Sequence, residues 1–257
     1  MTKQQKILLL AAITLAGILY TWMLQPIPQN PAYHSFADKH SMAGIANFAN
    51  VLSNLPFLAV GTYGLRLLAK SHAGFAVRLV YGVMFTGIFL TGAGSACYHL
   101  MPGNGSLVFD RIPMVLVFMA FLSAAVLGWI DARTGIRLLL PLLVLGIASV
   151  FWWHYTEVRG EGDLRLYGFI QFYPMLIIPV IFMLFASPEN NRGLGLLVWV
   201  ILWYCAAKIF EQLDAPIYRF TGFISGHSVK HIAAAVATWY MVKFFEKKYL
   251  QQAVQVQ

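Results

Sequence analysis

The stretch Pro113-Met114-Val115-Leu116-Val117-Phe118-Met119-Ala120-Phe121-Leu122-Ser123-Ala124-Ala125-Val126-Leu127-Gly128-Trp129 decides the architecture of this chain. It carries no charge and lies in an apolar run over 111–131, about the ~20 residues a helix needs to cross a bilayer. Comparable runs recur at 7–24, 44–69, 76–99, 136–155, 166–187, 194–213 and 226–246. Eight candidate spans predict an all-α fold, a polytopic membrane helix bundle making a single integral membrane domain over 1–257. Runs of this length exclude the short alternating strands of a membrane barrel. Composition agrees: 59% of the 257 residues are hydrophobic and 11% charged, where a soluble domain carries about 25% charge.

A formal charge of +8 invites a nucleic-acid reading, and the placement of the charges decides against it. With a cytoplasmic N-terminus, that side receives Lys3, Lys6, Arg66, Lys70, Arg78, Arg133, Arg137, Arg192, Lys243, Lys247 and Lys248. The opposite side receives Lys39, Arg111, Arg159, Arg165, Arg219 and Lys230, and Lys208 falls inside a span. Eleven against six is a positive-inside bias, so both termini are expected in the cytoplasm and no nucleic acid is expected as partner. Residues 1–25 read as an uncleaved anchor, because Trp22-Met23-Leu24-Gln25-Pro26 lacks a small-x-small cleavage pattern. Cys97 and Cys205 fall in apolar spans and read as buried thiols rather than a disulfide.

Chemistry is expected on the outer face, at 25–43, 100–110, 156–165 and 214–225, where most of the acids collect. His99 ends the third expected span, Asp110 opens the fourth, and Gly226-His227-Ser228-Val229-Lys230-His231 opens the eighth. With alternating passes all three positions reach one membrane level. Spacing i,i+4 puts His227 and His231 on one helix face, about 6 Å apart along the axis. Ionisable groups at the membrane are costly and mark sites, and three neutral imidazoles with a fourth position open suit a catalytic zinc. Ser95 shares a helix face with His99, and Gly92 and Gly94 permit close helix approach. Asp110 reads as a helix N-cap, a general base, or both.

Other polar groups admit blander readings. Lys208 and Glu211 can pair at i,i+3, with Asp214 just beyond them. Asp38, His40 and Asn47, near Asn50, Ser53 and Asn54, can bond across helices or offer oxygen ligands to calcium. Phe151-Trp152-Trp153-His154-Tyr155 reads as an interfacial aromatic belt.

Ser95-x3-His99, Asp110 eleven residues on, and His227-x3-His231 opening the last span together resemble the alkaline ceramidases. They also resemble the wider CREST membrane-hydrolase superfamily that holds the adiponectin receptors. Phe36-Ala37-Asp38, followed by Gly44-Ile45-Ala46-Asn47 and Asn50-Val51-Leu52-Ser53-Asn54, is similar to bacterial ceramidase-like members. The resemblance covers about 33–246 and implies a seven-helix core, with the first helix as an addition. It implies His99, His227 and His231 as zinc ligands, and Ser95 and Asp110 as catalytic residues beside them. The acid-rich segment of the animal enzymes is not reproduced, and Asn47 stands where they have a glutamate, which leaves calcium without their ligand set.

The expected activity is a zinc-dependent amidohydrolase, acting on linear amide C–N bonds of ceramide or a related membrane lipid by attack of zinc-bound water. The expected location is a bacterial inner membrane, with the zinc site near the periplasmic face. Two rivals stay open: an intramembrane serine protease with Ser95 as nucleophile, and a non-enzymatic zinc-containing receptor or structural protein.

Overall fold

The computed structural model describes residues 1–188 and 190–250. Residues 251–257 of the expected domain lie outside them. The described chain is all-α: α1 (Lys3–Met23), a 3-10 turn (Pro31–His34), α2 (Phe48–Leu52), α3 (Leu55–Ala69), α4 (Phe75–Leu100), α5 (Asn104–Trp129), α6 (Ala132–Val158), α7 (Arg165–Phe185), α8 (Leu194–Gln212), α9 (Asp214–Thr221), α10 (Gly226–Phe245) and a π-helical turn (Glu246–Leu250). Seven stretches of helix are long and apolar enough to cross a membrane: α1, Phe48–Ala69, α4, α5, α6, α7 and α8. They fit an integral membrane protein. The eighth expected span forms as α10, but His227, Lys230, His231 and Lys243 make it more polar than the others.

The expected run 44–69 is broken. Asn47 is left-handed (φ 47°), α2 stops at Leu52, and α3 restarts with Pro56 in its first turn. Proline lacks an N–H and is tolerated only at a helix start, so α2 cannot continue through it unbent. At the break the Asn54 N–H bonds Val51 O at 3.2 Å, and the Asn50 carbonyl instead accepts from the side chains of Ser53 and Asn54.

Close packing separates two compact units. One holds Met1–Asn30, Phe75–Met84 and Val115–Asn191. In it α1 lies antiparallel on α7: Lys6 donates to the Leu184 carbonyl, Thr14 Oγ1 meets Tyr173 Oη at 2.5 Å, and Arg165 Nη1 donates to Leu24 O at 2.6 Å. Arg165 also grips Asp163 with two 2.8 Å bonds, and this pairing holds the Asp163 carboxyl below its ordinary pKa. Trp153 is completely buried and departs from the expected aromatic belt, whereas Phe151, Trp152 and Tyr155 remain exposed as a belt requires. His154 belongs to this unit, beside Trp153.

The other unit holds Pro31–Gly74, Phe85–Met114 and the chain from Arg192 on. Its helices α3, the latter part of α4, α8 and α10 pack through small residues. A Cβ on Gly94 would sit 2.1 Å from the Phe109 carbonyl oxygen, so only glycine lets α4 touch the start of α5 this closely. Gly226 plays the same part at the start of α10, where a Cβ would meet Phe210 O at 2.4 Å.

Both cysteines are free, and both are exposed on helix surfaces. The buried-thiol expectation is therefore corrected. An apolar side chain in a spanning helix can face lipid as readily as protein, so hydrophobic surroundings in sequence do not imply the interior.

Candidate metal centre

Helix α4 ends at Leu100, with Pro102 just past it, so His99 is presented from its last turn. Helix α10 begins after Ser225, whose side chain accepts the Ser228 N–H as an N-cap. His227 and His231 then stand on its first and second turns. Their rings converge with that of His99: Nε2 of His99 is 3.3 Å from Nε2 of His227 and 3.3 Å from Nε2 of His231. All three residues are buried, and they form the one group of metal-ligand type found among the described residues.

This spacing fits a metal. Nitrogens about 2.0–2.1 Å from a tetrahedral zinc stand about 3.3–3.4 Å apart. The donor set fits as well. Ser53 Oγ lies 2.8 Å from His231 Nδ1 and 2.9 Å from the Asn50 carbonyl, and that carbonyl, which can only accept, is itself within hydrogen-bond reach of the ring. A proton on Nδ1 suits these oxygens and leaves a lone pair on Nε2 turned into the cluster. Buried imidazole lone pairs facing one another at this distance are costly without a cation between them.

Phe36 closes one side, with ring centroids 4.6 Å from His99 and 4.7 Å from His227. Asp214 holds it there: one carboxylate oxygen accepts the Ala37 N–H at 2.9 Å and the other the His227 N–H at 2.9 Å. Asn47 Nδ2 donates to the His99 carbonyl at 2.8 Å, tying the same loop to the end of α4. Asp38 Oδ1 accepts from the His40 backbone at 2.9 Å and lies 3.0 Å from its Nδ1.

Ser95 and Asp110 are brought together, the serine hydroxyl donating to the carboxylate. Both are buried. Asp110 does not open its helix, which corrects the N-cap reading. Helix α5 begins at Asn104, where Ser106 Oγ donates to Gly103 O and the Leu107 N–H bonds Gly103 O at 2.9 Å. The turn Gly103-Asn104-Gly105-Ser106 reads as a loop because its two glycines are poor helix formers, and tertiary context overrides that preference.

The expected Lys208–Glu211 pair is present at 2.6 Å and is half of a larger cluster. Glu211 Oε1 also accepts from Lys230 Nζ at 2.7 Å. Lys230 and Arg111 lie 5.8 Å and 6.0 Å from the centre of the Tyr33 ring. Burial, then the Glu211 carboxylate, raises the Tyr33 phenol above its ordinary pKa and keeps it neutral. Asp110 shares the field of Lys230, Arg111 and Glu211. A second network runs from Tyr98 Oη to His34 Nδ1 at 2.9 Å and from His34 Nε2 to Asn104 Oδ1 at 2.9 Å.

Sequence reasoning passed over Lys230, Phe36, Tyr33 and the Ser53 contact to His231. Lys230 carries a findable signal: a lysine between two histidines inside a span demands a carboxylate, and Glu211 is the acid available in the neighbouring span.

A model of the family described as Ceramidase matches residues 40–256, leaving α1 outside the match. Compared with curated proteins, the chain finds no match. With more than half of its length matched to that one model, the chain belongs to the ceramidase family.

Proposed function

We propose that this protein is a zinc-dependent amidohydrolase that cleaves the amide bond of ceramide or a related membrane lipid. The carrying observation is the convergence of three buried imidazoles, with His99 Nε2 3.3 Å from Nε2 of each of the other two, in a chain of the ceramidase family. His99, His227 and His231 would hold the metal. When bound, zinc activates water and polarises a carbonyl oxygen. Asp110 is the proton carrier: its carboxylate takes the proton released by water and gives it to the leaving nitrogen, which departs as an amine while the acyl group becomes a carboxylate. Ser95 donates to that carboxylate and fixes its orientation. Phe36 packs against two of the imidazoles and keeps bulk water from that side of the cluster.

The serine-protease alternative needs a histidine on Ser95, and the partner of Ser95 here is Asp110. In the same proposal the membrane is a bacterial inner membrane, both termini are cytoplasmic and the site lies near the periplasmic face, on the strength of the eleven-to-six Lys/Arg asymmetry.

A hydrolysis screen on purified protein tests the reading. Fatty acid should be released from a long-chain lipid amide, lost on chelation and restored by zinc, with about one zinc per chain in wild type and little in His231→Ala. Zinc-loaded protein that releases no fatty acid from any lipid amide would overturn the enzyme; activity indifferent to chelation would overturn the metal.

A further inference from the structure

Ser53 stands between α2 and α3, outside the set of ligand-type residues. Its hydroxyl joins two structural partners. It lies 2.8 Å from His231 Nδ1 and donates to the Asn50 carbonyl at 2.9 Å. That carbonyl is itself within hydrogen-bond reach of the His231 ring and accepts from Asn54 Nδ2 at 2.8 Å. The side chain of Asn50 is fixed in turn: its Nδ2 donates to Asp38 O at 3.0 Å and its Oδ1 accepts from Ser228 Oγ at 2.7 Å. Asn50, Ser53, Asn54 and Ser228 are all buried. Ser228 lies on α10 itself, one residue past His227, so the network returns to the helix that carries both histidines.

We infer that Ser53, anchored by Asn50, is a positioning residue for His231: it fixes which ring nitrogen carries the proton and the angle at which Nε2 meets the metal. The physical case is the proton count. The Asn50 carbonyl has no proton to give, so its bond with the ring calls for the ring's own N–H, and a serine proton turned to that same carbonyl presents an oxygen lone pair to Nδ1. The oxygen is left as an acceptor toward Nδ1, which selects the tautomer whose Nε2 is a ligand. A histidine ligand whose other nitrogen is held this way is a better donor, and loss of such a partner costs about 10- to 100-fold in metal affinity. The break in the helix serves this contact, since a continuous α2–α3 would spend the Asn50 carbonyl on its own i+4 amide at Asn54.

The inference rests on the three histidines binding a metal, but not on what the protein hydrolyses. Its test uses purified full-length protein in detergent, stripped by chelator and titrated with zinc in competition with a chromophoric chelator, and separately with Co(II) for its visible absorption. Ser53→Thr and Ser53→Val have nearly the same shape and differ in the hydroxyl. The valine variant should bind zinc about 10- to 100-fold more weakly than wild type and shift the Co(II) bands, while the threonine variant stays near wild type in both. Circular dichroism of the metal-free proteins checks that the two variants fold alike. Equal affinity and equal spectra for the two variants would overturn the inference, whether both match wild type or both lose the metal, because shape rather than the hydroxyl would then govern. No lipid enters this measurement. Failure to hydrolyse amides would sink the proposed activity and leave Ser53 in place; a valine variant with wild-type metal binding would do the reverse.

Discussion

Glu211 Oε1 lies 2.7 Å from Nζ of Lys230, which stands between His227 and His231, and its other oxygen lies 2.6 Å from Lys208 Nζ. One carboxylate on α8 thus neutralises the lysine embedded in the metal-site helix. Removing one partner of a buried pair leaves a charge uncompensated and typically costs about 3–5 kcal/mol, far more than the pair itself contributes.

Glu211→Ala should therefore lower thermal stability in detergent by that order, about 3–5 kcal/mol. Lys230→Met in the same chain should recover much of the loss, because the more buried of the two ammoniums that Glu211 pairs is gone and Lys208 is better solvated. Calorimetry or thermal circular dichroism on the two single variants and the double variant reads the coupling. A double variant no more stable than Glu211→Ala would show that the pair is not what holds α8 to α10.

Asp110 sits in the second turn of α5 with Ser95 as its donor, so Asp110→Asn keeps the volume and changes the chemistry. Turnover of a lipid amide should fall by about 10²–10⁴-fold. Zinc content should persist, since the converging ligand atoms belong to the histidines. Loss of zinc in this variant would make the aspartate a ligand; unchanged turnover would remove it from the proton path.

Sidedness can be read by thiol labelling. Cys97 and Cys205 are exposed and must first be replaced. A cysteine at Gly103, where the backbone leaves open space, should then react with an impermeant reagent added to intact cells, and one at exposed Ala132 should react only after lysis. The opposite pattern would place the histidine face toward the cytoplasm.

Asp163 offers a pH handle remote in sequence from the histidines. Its carboxyl is held below the ordinary value by Arg165, so the folded state favours the charged form. Stability from this pair is complete above the unfolded pKa of about 3.9, and it is lost as pH falls through the lower folded value. The difference in melting temperature between wild type and Asp163→Asn should be constant from about pH 5 to 7 and shrink below about pH 4. A difference that grows on acidification would reverse the assignment.

Much of this was legible because hydrophobic runs are local. The expected span 226–246 and the helix Gly226–Phe245 differ by one residue at one end. The His227–His231 pair was legible from i,i+4 spacing, and His99 from its place at the end of an apolar run. Three things were hidden, each for its own reason. The start of α5 lay under two glycines whose propensity argues for a loop. The free thiols looked interior because lipid and protein core select the same side chains. Ser53 and His231 are 178 residues apart in the chain, and nothing in either neighbourhood marks the other.

The separation of His99 from His227 has a consequence during synthesis. The two are 128 residues apart. A ribosome adding about 5–20 residues per second needs on the order of 6–25 s to make the intervening chain. For that interval α4 carries His99 without the two imidazoles that meet it, while Asp110 on α5 already has Ser95. The polar end of this hairpin must wait near the headgroups, wet, until α10 arrives. On the proposed reading, metal capture is the closing step of biogenesis, and a chain stalled before Gly226 would be held by its apolar helices alone.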